Sequence, residues 1–294
     1  KIPFLIAEIS ANHCGNFNLA KKLIKCAKQS NANAVKLQTY TADTMTIKSN
    51  KKYFKIKNGL WKGYNLWELY NEAHTPLKWH KGLFDYGKKL GITVFSTPFD
   101  ETAVDFLEKL KCPIYKVASF EMTDIPLIKK IASTKKPMII STGMANIKEI
   151  KQTLKEVHYK KYPVILMLCV SQYPTAPKDV NLLRLNNLKK LFPNLVLGFS
   201  DHTRGPLASS IAVSLGAKCV EKHFTLDNND NGPDHWFSEN PEGLRIWSNS
   251  IRTAYKMLGK SVIKPTKGEE DMRIIARRSI VAYRNIKSGI RINE

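Results

Sequence analysis

Eight alternations of a short apolar run with an amphipathic helical pattern predict an α/β fold of the TIM (β/α)8 barrel type. Two further observations point the same way. Polar and charged residues gather just after the apolar runs, where a barrel keeps its functional groups. No Gly-rich turn follows the first run, as the nucleotide-binding turn of a doubly wound open sheet would require.

The first run, Phe4 to Ile9, leads into Leu19 to Lys28, where Leu19, Leu23, Ile24 and Ala27 share one helical face. Ala34 to Thr39 is the second strand. Its return is long and irregular, from Ala42 to Trp79, and carries Trp61, Tyr64, Trp67 and Tyr70. An aromatic excursion of this kind is expected to form a lid or a partner contact. Thr75-Pro76 then opens the second helix, which runs to Leu90. Strands follow at Ile92 to Ser96, Pro113 to Ala118, Met138 to Ser141, Val164 to Val170, Leu195 to Phe199 and Cys219 to His223. Helical patterns begin near Glu101, Ile125, Asn146, Asn181, Pro206 and Glu242. The barrel is expected to occupy residues 1–261, followed by a polar linker at 262–275 and a new short strand at Ala276 to Ala282 within a segment 276–294. That last segment is too short to bury a core alone.

Composition narrows the function classes. With 43% hydrophobic residues over 294 positions, the chain can bury a full core. No apolar run approaches the roughly 18 to 20 residues that cross a bilayer. The Lys1 to Ser10 start lacks a secretory core with a cleavage site, so a cytoplasmic protein without membrane contact is expected. The five cysteines, Cys14, Cys26, Cys112, Cys169 and Cys219, are scattered without a CxxC pair and are read as reduced packing residues. The net charge of +22 comes mostly from lysines spread over helical faces. Without an Arg-rich tail or interleaved aromatics, this reads as a solvated surface that draws in an anionic substrate, and no nucleic-acid partner is expected.

The strand ends supply one convergent set: Glu8, Lys36, Gln38, Thr97, Lys116, Ser119, Glu121, Ser141, Ser171, His202 and His223. Lys36 and Lys116 stand inside apolar strands, where an unpaired ammonium is costly. Each therefore faces an anion or a carboxylate, Glu8 and Glu121 being the available partners. With the hydroxyls of Thr97, Ser119 and Ser141, the two lysines make a cradle for phosphate and carboxylate groups.

His202 and His223 close neighbouring strands of one β-α-β unit and are read as ligands of a catalytic metal with open positions. Mixed nitrogen and oxygen ligation suits Mn2+, Mg2+ or Co2+ better than a closed zinc site. Asp234 is placed to hold a metal-bound water, and Asp201 to support His202.

Six motifs carry a family resemblance: Ile6 to His13, Lys36-Leu37-Gln38-Thr39-Tyr40, Ser96-Thr97-Pro98-Phe99, Ser141-Thr142-Gly143-Met144, Ser200-Asp201-His202-Thr203 and Glu221-Lys222-His223-Phe224-Thr225. In that order they resemble the nonulosonic (sialic) acid synthase family over nearly the whole chain. Gln38-Thr39-Tyr40-Thr41, Gly59-Leu60-Trp61, Leu66 to Tyr70 and Ala118-Ser119-Phe120-Glu121 are most similar to the pseudaminic acid synthase branch. Ser171-Gln172-Tyr173-Pro174 favours the same branch, whereas Gly232-Pro233-Asp234-His235 is similar to the sialate and legionaminate branches.

The resemblance implies condensation of phosphoenolpyruvate with an N-acetylated amino sugar, 6-deoxy-2,4-diacetamido-altrose first, and release of phosphate. N-acetylmannosamine and 2,4-diacetamido-6-deoxymannose are the alternative acceptors. It places phosphoenolpyruvate contacts on Lys36, Thr97, Lys116, Ser119 and Ser141, metal ligands on His202 and His223, and sugar or acid/base roles on Glu8, Gln38 and Glu121. Lys116 is counted with Glu8 and Glu121 among the residues carrying the chemistry, and either carboxylate is the expected proton acceptor. Mn2+ is the expected metal. The resemblance further implies that residues 276–294 begin a SAF, or antifreeze-like, domain. The remainder of such a domain supplies an arginine to the partner's site in a domain-swapped homodimer, so the 294-residue chain is expected to bind its ligands but turn over poorly. A Schiff-base aldolase acting through Lys116 or Lys36 is the more distant enzymatic reading.

Overall fold

The computed structural model describes residues 2–58 and 61–293; Lys1, Glu294, and Gly59 and Leu60 of the Gly59-Leu60-Trp61 motif lie outside the described residues. The strands are β1 (Phe4–Glu8), β2 (Ala34–Thr39), β3 (Thr93–Pro98), β4 (Tyr115–Val117), β5 (Met138–Ser141), β6 (Val164–Cys169), β7 (Val196–Asp201) and β8 (Cys219–His223). They form a closed parallel barrel in sequence order. Closure is made by β8 against β1, in a register that sets Ile6 opposite Glu221 and Glu8 opposite His223. Closure leaves no free sheet edge.

The helices are α1 (Phe17–Gln29), α2 (Ala42–Met45), α3 (Leu66–Ala73), α4 (His80–Leu90), α5 (Glu101–Lys109), α6 (Ile125–Ser133), α7 (Ile147–Glu156), α8 (Arg184–Leu191), α9 (Leu207–Ser214), α10 (Pro241–Met257) and α11 (Lys267–Ala276). Several begin at the residue that the sequence marks. Asn16, Asp100, Asp124 and Asn240 accept backbone N–H bonds as N-caps, and Asn146 forms a reciprocal capping box with Glu149. Such a cap typically adds about 1 kcal/mol and fixes where the chain turns from strand to helix. Gly91 stops α4 at φ +67°, a left-handed value that glycine adopts without penalty.

Alternation along the strands sorts the core into two layers. Outward residues such as Leu5, Ala7, Val35 and Leu37 are fully buried, packing in one apolar cluster with Leu23, Ile24 and Leu83 of the helices. Inward residues fill the barrel, and near its C-terminal mouth they become polar. The long β2 return holds α2, α3 and two single 3-10 turns, Lys52–Phe54 and Leu77–Trp79.

Residues Lys1–Leu258 form one compact unit and Gly259–Glu294 a second. Within the second, the stretch read as linker contains α11, started by a Thr266 and Glu269 capping box. No strand forms at the expected Ala276 to Ala282 among the described residues, since the segment offers no second strand to pair with. No helix among the described residues is long and apolar enough to cross a membrane, and all five cysteines are free thiols.

Candidate active site

At the barrel mouth β1, β2, β4 and β8 each send charged side chains inward. Lys36 Nζ lies 3.0 Å from Glu8 Oε2 and 3.2 Å from Glu221 Oε1, and Lys116 Nζ lies 3.6 Å from that same Glu221 oxygen. All four residues are buried. Two ammonium and two carboxylate groups balance, which is how the interior tolerates them. Gln38 Nε2 and the Ser10 backbone N–H both donate to Glu8 Oε1, at 3.1 and 3.0 Å.

The charges differ in how firmly they are held. Burial acts to raise the Glu221 carboxyl, but Lys116 and Lys36 overcome it and pull its pKa down to about 2. Glu8 shifts the other way, because burial outweighs the attraction of Lys36. Burial acts against the Lys36 ammonium, yet Glu221 and Glu8 together hold its pKa above the ordinary value. For Lys116 burial prevails over its looser contact with Glu221, and its pKa falls. An incoming anion would therefore gain most from Lys116, the cation with the weakest internal partner. Lys36, held as an ammonium between two carboxylates, is poorly suited to act as a Schiff-base nucleophile.

Opposite the ion cluster stand the two imidazoles, with ring centroids 5.5 Å apart. His202 Nδ1 lies 2.7 Å from the Val170 carbonyl, which can only accept, so Nδ1 carries a proton and the lone pair of the neutral ring is on Nε2. Burial acts against the charged ring, but Cys169 beside it raises the His202 pKa above the ordinary value. His223 is neutral, burial and neighbouring cations holding its pKa well below the usual range. Its buried Nδ1 has no hydrogen-bond partner. A lone pair set by a backbone bond, beside an orphaned buried nitrogen, is a donor set that fits a metal ion. Asp234 is buried and accepts a short hydrogen bond from the Ser10 hydroxyl. Tyr173 packs on His202 at 4.2 Å and on His223 at 5.7 Å between ring centroids.

The hydroxyl cradle lies alongside. Thr97 Oγ1, Ser141 Oγ and Glu121 Oε2 are buried without partners, and Ser119 Oγ accepts from the Gly143 N–H at 3.0 Å. A Cβ on Gly143 would overlap the hydroxyls of both Ser171 and Ser119, so glycine is what lets these two side chains reach the site. Burial raises the Glu121 carboxyl to about 7. A cavity of about 310 Å³ joins Lys36, Lys116, Ser119, Ser141 and both histidines to Asp234. Its lining also carries the apolar side chains of Met45, Trp61, Leu69, Tyr70, Phe99 and Phe120.

With this geometry, comparison with known proteins is decisive. The family model described as "NeuB family" matches residues 23–263. This chain belongs to the NeuB family. It is 39% identical to a pseudaminic acid synthase of Helicobacter pylori, over 99% of this chain and 86% of that protein. An N,N'-diacetyllegionaminic acid synthase of Campylobacter jejuni is 40% identical, over 98% of this chain and 87% of that one. The crystal structure of an N-acetylneuraminic acid synthetase from Leptospira borgpetersenii superposes with a TM-score of 0.82 at 30% identity, covering 95% of this chain and 94% of that one.

In this NeuB-family chain Lys36, Gln38, Lys116, Ser119, Glu121, Ser141, His202 and His223 line one cavity, whereas Glu8, Thr97 and Ser171 do not line it, and two expected pairings are revised. The second carboxylate facing the lysines is Glu221, not Glu121. Glu121 lies past β4, in the turn that leads to α6, whereas Glu221 points inward from β8 at the level of the ammonium groups. Asp201 does not support His202. It points outward from β7, accepts from Thr203 and Ser209 and pairs with Lys222 at 3.0 Å, while Val170 orients the imidazole. Glu221, Ser10 and Tyr173 were not singled out as site residues. The period of two on β8, which puts Cys219, Glu221 and His223 on one face, is the signal that finds Glu221. His202, His223 and Asp234 do not form a close three-ligand group among the described residues. The close group able to hold a metal ion is Cys14, Asp230 and His235.

Proposed function

We propose that this chain condenses phosphoenolpyruvate with an open-chain N-acetylated amino sugar, giving a nonulosonic acid and phosphate, with 6-deoxy-2,4-diacetamido-altrose as the preferred acceptor and pseudaminic acid as product. The observation that carries the reading is the pairing, in one cavity, of a two-lysine anion cradle with a two-imidazole donor set. The apolar part of the cavity lining supports the choice of acceptor, because a 6-deoxy carbon and two acetamido methyls present apolar surface where most sugars present hydroxyls.

Lys116 and Lys36 bind the phosphate and carboxylate of phosphoenolpyruvate, with Thr97, Ser119, Ser141 and Ser171 donating to their oxygens. A divalent cation, Mn2+ in this reading with Mg2+ or Co2+ as alternatives, supplies Lewis-acid polarisation of the sugar carbonyl when bound, and His202 and His223 would hold it, with Asp234 acting through a water. Gln38 and the cavity wall orient the sugar so that C3 of phosphoenolpyruvate bonds to the aldehyde carbon. Water adds to C2, Glu121 takes its proton, and the tetrahedral intermediate loses phosphate by cleavage of the C–O bond. Glu121 is preferred to Glu8 as acceptor because its Oε2 is free and its carboxyl titrates near neutrality, whereas Glu8 is engaged by Lys36, Gln38 and Ser10. In a longer chain with a complete SAF domain, this reading includes a domain-swapped homodimer in which that domain adds an arginine to the partner's site.

The test is phosphate release from phosphoenolpyruvate with a panel of acceptors. Fastest release with the altrose derivative is expected. Faster release with 2,4-diacetamido-6-deoxymannose or N-acetylmannosamine would transfer the reading to the legionaminate or sialate branch.

A further inference from the structure

Away from the histidine pair, Cys14, Asp230 and His235 bring their ligand atoms within 4.8 Å of one another. We propose that they form a second cation site, one that takes a thiophilic divalent metal such as Zn2+ and, when filled, ties the loop after β1 to the loop after β8. The imidazole is the built part of this site. His235 is 1% exposed. Its Nδ1 lies 2.7 Å from Thr225 Oγ1 and 3.2 Å from the Asp227 carbonyl. Thr225 spends its own hydroxyl proton on that carbonyl at 3.0 Å, so its oxygen accepts, and His235 Nδ1 carries the hydrogen. The lone pair is then on Nε2, which points at Cys14 Sγ 3.1 Å away. An imidazole fixed through its far nitrogen by backbone and hydroxyl oxygens is the arrangement that orients a metal-binding histidine.

The thiol is presented by a tight turn. Asn12 N–H bonds to Ile9 O, Cys14 N–H to Ala11 O and Asn16 N–H to His13 O, with Cys14 itself at φ +47°. That left-handed value is uncommon for cysteine and is held by these successive bonds. Cys14 and Asp230 are exposed, which leaves an entry path and an open position for water. Without metal the thiol proton is shared with His235 Nε2. On binding, the metal takes the sulfur and nitrogen lone pairs and one Asp230 oxygen, and the thiol proton leaves to solvent. One thiolate, one carboxylate and a neutral imidazole then balance a 2+ ion. A sulfur, nitrogen and oxygen set with one open position suits Zn2+ or Co2+ and disfavours Mg2+. The same two loops carry Ser10 and Asp234, whose hydrogen bond lines the catalytic cavity, so the clamp bears on that cavity without using its ligands.

The site is tested on the unaltered chain by alkylation of Cys14 with iodoacetamide, followed by peptide mass spectrometry. Zn2+ is expected to slow alkylation of Cys14 at least tenfold, and Mg2+ to leave it unchanged. Equal rates with and without Zn2+ would overturn the proposal. Co2+ gives an independent readout through the thiolate-to-cobalt charge-transfer band in the near ultraviolet. That band is expected to vanish in Cys14→Ser, weaken in Asp230→Asn and persist in Cys169→Ser. A band that persists in Cys14→Ser and disappears in Cys169→Ser would assign the cobalt to the histidine pair and refute a site at Cys14.

Discussion

Lys36 Nζ lies 3.0 Å from Glu8 Oε2, and both side chains are shut away from water. Glu221 completes the bridge on the other side of the ammonium. Removing the cation would leave carboxylates buried without compensation, the costly way to break such a cluster. Lys36→Met is expected to destabilise the barrel by about 3 to 5 kcal/mol, measured by urea denaturation. Adding Glu8→Gln should recover part of that loss, because it removes one of the stranded charges. Equal stability of Lys36→Met and the parent chain would show that the three groups do not carry charge together.

Glu121 gives a prediction in which stability and activity part company. Burial raises its carboxyl from the ordinary 4.5 to about 7. The folded chain therefore holds a proton that the unfolded chain has released between those values, so stability falls as pH rises from about 4.5 through about 7. The shift sets an upper bound of about 3 kcal/mol on that loss. Glu121→Gln removes the penalty, so the variant should be more stable than the parent at pH 8 and no more stable at pH 4. In the proposed role of proton acceptor Glu121 is active when ionised, so turnover of the parent should rise with pH through about 7. Glu121→Gln should lower kcat by about 10² to 10⁴ and erase that limb of the profile, with KM for phosphoenolpyruvate little changed. An unchanged pH profile would remove Glu121 from proton transfer and leave Glu8.

The barrel was legible because its strands are short apolar runs, buried on both faces, and its helices carry one apolar face, as Leu23, Ile24 and Ala27 do on α1. The site was legible where a polar residue interrupts such a run, as at Lys36, Lys116 and His223. Legibility fails where two polar residues adjoin. In Ser200-Asp201 and Glu221-Lys222 only the pleat decides which side chain enters the barrel, and that phase is fixed by pairing with neighbouring strands. Asp201 and Lys222 face outward and pair with each other, while Ser200 and Glu221 face in and share a 3.2 Å hydrogen bond. The apolar cavity wall from the β2 return has no period to read, since it is assembled from short turns and α3.

Gly143 makes a steric prediction. Its missing Cβ leaves room for the Ser119 and Ser171 hydroxyls, and the Gly143 N–H bonds to Ser119. Gly143→Ala should push both hydroxyls aside and raise KM for phosphoenolpyruvate at least tenfold. Metal affinity should stay unchanged, because His202 follows β7 and His223 ends β8. A variant with normal KM would mean that neither serine contacts the substrate.

The histidine pair separates structural from metal-binding roles. If His202 and His223 only fill space, His202→Ala should lower stability by the cost of a small cavity and leave Mn2+ titration unchanged. If they hold the cation, removing one of two protein nitrogens should weaken Mn2+ binding by at least a hundredfold while the fold persists, since the His202 ring is bonded to the backbone only at the Val170 carbonyl and sits at the barrel mouth. Electron paramagnetic resonance of free Mn2+ during titration reads this without any turnover. The parent chain, stripped with chelator, should lose phosphate release and regain it with Mn2+. His202→Asn is the sharper variant, because its side-chain amide can still donate to the Val170 carbonyl and so preserve local structure without an imidazole. Mn2+ binding at parental affinity in His202→Asn would place the cation elsewhere in the cavity and undo the assignment of this pair.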